Sequence, residues 1–139
     1  MNDSFAVRHI NEAGEEAEGI FVLERDETGE GCRLVLRLPW GEFAGSEWNY
    51  FHALCEIRRQ LEVTGWRPVC YGSSRNVYPS RMCCDMGQGL QAYRTTMGRP
   101  AVLEDLVRIF DSGPDVLPVS VEDQEAFRDH WLRSLTGRA

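Results

Sequence analysis

The residues with the most intrinsic reactivity are two adjacent cysteines, Cys83 and Cys84, between Arg81 and Asp85. A thiol acts as a nucleophile through its thiolate, which a neighbouring cation favours, so a reactive thiol beside Arg75 and Arg81 is one reading. Inert packing is the stronger expectation, because free cysteines bury as readily as aliphatic side chains. His9, His52 and His130 fall in separate segments with no metal-ligand spacing, and each is expected at a surface or an edge. No Cys-x-x-Cys, His-Glu-x-x-His or Gly-x-Ser-x-Gly occurs, and the chain has fifteen arginines and no lysine for a P-loop. The expectation is no catalytic residue, no metal and no cofactor.

Binding chemistry is better represented. Gly72-Ser73-Ser74-Arg75-Asn76 offers backbone N–H groups, two hydroxyls and a guanidinium that can cradle an anion, or form an ordinary turn. From Trp66 to Arg94 aromatics and arginines interleave. If the strands carrying them are neighbours, Arg67, Tyr71, Ser73, Arg75, Tyr78, Arg81 and Arg94 form a cationic, aromatic-walled ligand site. The alternative is that the aromatics are core and the arginines a solvated rim.

Charge points to a second surface. Residues 1–31 hold nine acids against two arginines, which accounts for the whole net charge of −7. Arg58 to Arg99 holds seven arginines against Glu62 and Asp85. An acidic start of this kind steers a basic protein partner, with Glu24, Asp26, Glu27 and Glu30 on the first hairpin as candidates. Trp40 and Phe43, in a Pro- and Gly-flanked segment, are candidate anchors. A sequence pI near 5.0 argues against nucleic acid as a partner. The longest apolar runs fall far short of the ~20 residues of a membrane span.

These residues need a scaffold, and the hydrophobic pattern predicts one. Residues 1–18 read as an acidic, loosely held leader with a short strand at Phe5–Ile10, and 19–139 as a single domain. Gly19–Arg25 and Cys32–Leu38 read as a hairpin, with Leu34, Leu36 and Leu38 inward and Arg33, Val35 and Arg37 outward. Pro39 to Gly45 ends the second strand, and Ser46 caps a helix in which Tyr50, Leu54, Ile57 and Leu61 share a face up to Gly65. Trp66–Tyr71 and Leu90–Met97 read as strands, while Val77–Gly89 gives no clear pattern. Pro100 opens a helix carrying Leu103, Leu106, Val107 and Phe110, and Ser120 caps a last helix carrying Phe127, Trp131 and Leu135. The fold class is α+β: an antiparallel sheet of about four strands in β-β-α-β-β-α-α order, with helices on one face.

Small size, acidic balance and missing catalytic motifs resemble, in type, the bacterial immunity and inhibitor proteins. The expected function is a non-enzymatic bacterial protein-binding module acting in the cytoplasm through its acidic N-terminal face. The alternative is an anionic-ligand domain or enzyme built on segment 66–94. The aromatic C-terminal helices either complete the core or support a homodimer.

Overall fold

The computed structural model describes residues 3–25 and 31–136. It is α+β, with a curled five-stranded antiparallel sheet, a second three-stranded sheet and three helices. Strands β1 (Asp3–Asn11), β2 (Glu16–Arg25), β3 (Cys32–Leu38) and β4 (Gly41–Glu47) precede helix α1 (Tyr50–Thr64), and β5 (Trp66–Pro68) returns beside β1, in the order β4-β3-β2-β1-β5. The strand expected at Phe5–Ile10 is thus longer and lies inside the sheet. It is paired with β2 on one side and β5 on the other, which ties the segment expected as a loose leader to the core.

Pro39 and Trp40 form a two-residue turn rather than a break, and Gly41–Glu47 pairs in register with β3. Ser46 therefore stays in a strand, and α1 begins later, capped by the Asn49 side chain accepting from the His52 N–H. Gly65 closes the helix with φ of 83°, the left-handed position expected of it. In β3, Leu34, Leu36 and Leu38 face inward as expected, but Val35 is buried too. It sits across from Val22 and Ala44, flanked on its own face by Arg33 and Arg37, which are ion-paired to Glu24 and Glu42.

The sheet curls around α1. Trp40, in the β3–β4 turn, meets Trp66 of the opposite edge strand with ring centroids 4.7 Å apart. Phe21, Leu34, Leu36, Phe51, Leu54, Ile57 and Leu61 fill the enclosed space with full burial.

The second half of the chain departs most from the sequence pattern. Strands β6 (Val77–Tyr78), β7 (Gln91–Arg94) and β8 (Leu106–Arg108) form the small sheet, with helix α2 (Arg81–Gly87) between the first two. Residues 100–110, expected as a helix, make a single 3-10 turn at Leu103–Asp105 and then β8. Pairing of Leu106–Arg108 with β7 outweighs the helical spacing, and Leu103 is left 77% exposed. Helix α3 (Val121–Ser134) starts at Ser120 as expected, the Ser120 hydroxyl accepting from the Asp123 N–H. Among the described residues no helix is long and apolar enough to cross a membrane.

Candidate binding cleft

Helix α3 is anchored by its first turn. Val121 and Gln124 are its buried residues, and the Val121 N–H donates to Glu62 Oε2 of α1. The Gln124 amide lies within donating distance of the carbonyls of Gly72, Ser74 and Val77, and its oxygen accepts from Arg58 at 2.6 Å. Arg58 is 1% exposed, and its guanidinium also donates to the Gly72 and Val119 carbonyls. Carbonyl oxygens accept from this buried cation directly, and the nearby Glu62 carboxylate adds a favourable field.

Beyond that turn the same stripe of α3 leaves the core. Arg128, Trp131, Leu132 and Leu135 continue the inward face of Val121 and Gln124 at helical spacing, yet they line an open hollow of about 560 Å³. Its far wall is the small sheet, where Tyr78 and Tyr93 stand opposite one another across β6 and β7, and its rim is Pro100 and Ala101. Two hydrogen bonds tie the outer half of α3 to the loop beside this rim. Trp131 Nε1 donates to the Arg99 carbonyl at 2.9 Å, and the Gly98 N–H donates to Ser134 Oγ at 2.8 Å.

A second hollow of about 250 Å³ adjoins the first and shares Tyr78, Pro79, Ser80, Arg81 and Arg128 with it. Trp48, His52 and Cys84 complete its wall. The Arg128 guanidinium lies 4.5 Å from the centre of the Tyr78 ring, and Tyr78 in turn meets Phe51 edge-on. Burial pushes the His52 pKa down, so the imidazole is neutral near pH 7.

Of the ligand set expected from the sequence, this cleft gathers Tyr78 and Arg81. Arg67 is on β5 opposite Ile10, at the far sheet. Ser73 is buried, its hydroxyl against the Pro68 and Cys70 carbonyls. Arg75 covers the Phe127 ring at 5.2 Å on another side of α3. Tyr71 and Arg94 both hold Asp115, at 2.7 and 3.3 Å. The 72–76 loop makes no anion cradle, because the N–H groups of Gly72, Ser73, Ser74 and Arg75 are spent on the carbonyls of Ile109, Cys70, Tyr71 and Leu117.

Of the expected partner set, Glu24 pairs with Arg33 at 3.3 Å, Trp40 meets Trp66 at a tilt while remaining 49% exposed, and Phe43 packs half-buried against the core. Asp26, Glu27 and Glu30 lie outside the described residues.

Sequence reasoning missed Arg128, Leu132 and Trp48 and expected His52 only at a surface or an edge, whereas Tyr93 belongs to the interleaved aromatics of the 66–94 segment. The available signal was α3 itself: a stripe that mixes Gln124 and Arg128 with Val121, Trp131 and Leu135 is too polar to be core along its whole length.

The cleft holds the elements of a cysteine-histidine-asparagine arrangement without its geometry. Asn49 Oδ1 accepts from His52 Nδ1 at 3.0 Å, orienting the ring. Among the described residues, however, no hydrogen bond joins His52 to Cys84, and burial, with Cys83 and Asp85 beside it, pushes the Cys84 thiol up to about 11. Such a thiol is protonated at neutral pH, the poorly nucleophilic form. No group of three or more metal-ligating His, Cys, Asp or Glu residues occurs among the described residues. No family model matches the sequence, and a search of curated proteins finds no match.

Proposed function

We propose that this protein is a non-enzymatic bacterial module that binds another protein, and that its recognition surface is the cleft between α3 and the small sheet. The observation that carries this is the stripe of α3. Trp131, Leu132 and Leu135 continue the stripe of the buried first turn but meet an open hollow, with two hydrogen bonds tying the helix to the neighbouring loop. A pre-formed groove with aromatic and aliphatic walls and an arginine rim has the composition of a binding hot spot, in which little ordering entropy is lost on association. The cytoplasm is the proposed setting, and the likeness in type to immunity and inhibitor proteins belongs to the same proposal. The acidic N-terminal third then serves solubility and steering rather than contact.

Site-specific photocrosslinking tests this. With benzoylphenylalanine in place of Leu132, cells making the protein should yield a discrete adduct that is missing when the crosslinker replaces Val63, which is exposed on α1. The same adducts from both positions, or none from position 132, would remove the cleft from consideration.

One observation favours a second reading, an anionic small ligand. The larger hollow is within the size range of small-molecule sites, and Tyr78, Tyr93 and Arg128 line it. That reading predicts a thermal shift with aromatic carboxylates that Arg128→Gln abolishes.

A further inference from the structure

Resting on the cleft as the protein-binding site, we infer that its occupant is an extended segment of the partner with a bulky apolar residue and, two positions away, an aspartate or glutamate. The two hollows share one wall, formed by Tyr78, Pro79, Ser80, Arg81 and Arg128. An extended chain sends every second side chain to the same side, ~6.6 Å apart, so one segment presents alternate residues to adjoining hollows.

The two hollows differ in what they accept. Beyond the shared wall the larger is closed by Trp131, Leu132, Leu135, Pro100 and Ala101, which suits a large apolar side chain. The polar groups at the shared wall are chiefly donors. The Ser80 oxygen is already used, accepting from the Cys83 N–H. Arg81 and Arg128 engage Asp85 and Asp129 through Nε, so the terminal amino groups of both are not used by these pairs. Both pairs are exposed, and pairs of that kind are weak enough to accommodate a second carboxylate. Glu47 and Glu125 add a negative field at His52, opposed by Arg128 and Arg59. An acceptor with a full negative charge is the complement of the terminal N–H edges of Arg81 and of Arg128, whose ring-facing side already rests on Tyr78.

Selection of a random twelve-residue peptide library displayed on phage, against the immobilised full-length protein, tests the inference. Enriched peptides should share the apolar-x-acid pattern. In fluorescence anisotropy, replacing the acid by its amide should weaken binding about tenfold on the native protein and less than about twofold on the Arg81→Gln/Arg128→Gln protein. Leu132→Asp should weaken every enriched peptide. Thermal unfolding checks that the variants fold, and Arg81→Gln alone, on an exposed helix surface, gives a milder version of the same comparison. Peptides that lose binding on Leu132→Asp but carry no acid, or that bind the arginine variants as tightly as the native protein, would overturn the inference and leave the cleft reading standing. No enrichment, or enriched peptides indifferent to Leu132→Asp, would overturn both.

Discussion

Arg58 and Gln124 lie 66 positions apart in the chain and meet at 2.6 Å, guanidinium to amide oxygen, with both side chains sealed from solvent. This contact fixes the first turn of α3, and the direction of α3 fixes the cleft. Removing one partner leaves the other short of one hydrogen bond in a dry site. Gln124→Met should therefore cost about 2–4 kcal/mol in urea denaturation. The Arg58→Met/Gln124→Met double variant should lose clearly less than the sum of the single losses, because the second replacement removes a group already left short of a hydrogen bond by the first.

The Trp131 N–H to the Arg99 carbonyl is, with the Gly98 N–H to Ser134 Oγ, one of two bonds that brace the outer half of α3. Trp131→Phe keeps an aromatic ring and deletes that donor. We expect a loss of about 1 kcal/mol and faster amide exchange confined to the last two turns of α3, with the Gln124 turn unchanged. Uniform loss of protection along the helix would mean that the brace is not local.

Acid should weaken the fold through His9. Its ring is fully buried, Nδ1–H donates to the Val7 carbonyl, and Nε2 has no partner among the described residues. Burial pushes its pKa down from 6.5 to about 4. The unfolded chain thus binds a proton near pH 6.5 that the folded chain refuses until about 4, and stability falls with pH across that window. The contribution of one such proton is about 1.4 kcal/mol per pH unit. Urea midpoints measured from pH 7.5 to 4.5 should show a shallower decline for His9→Leu than for the native protein.

Trp40 and Trp66 join opposite ends of the curled sheet. A double-mutant cycle with alanine should give a coupling of about 0.5–1.5 kcal/mol. Zero coupling would show that the curl of the sheet is maintained by α1 alone.

The parts of this protein legible in the sequence are those governed by local rules. Alternation in Cys32–Leu38, the apolar stripe from Tyr50 to Leu61, Gly65 at the end of α1 and Ser120 at the start of α3 depend on the period of a strand or helix and on capping chemistry, both of which act within a few residues. The α+β class follows from them. What depends on partners far along the chain was not legible. Leu106–Arg108 carries a helical spacing and becomes a strand because β7 offers it a ladder. Pro39–Trp40 becomes a hairpin turn because Gly41–Glu47 finds its register on β3. Tyr78 and Arg81 were named from composition, but Arg128 and Leu132 entered the cleft only through the depth at which α3 docks. A sequence shows which face of a helix is apolar. How far along its length that face meets a neighbour is set by the buried contact between Arg58 and Gln124, whose energy exists only once the chain has brought the two together.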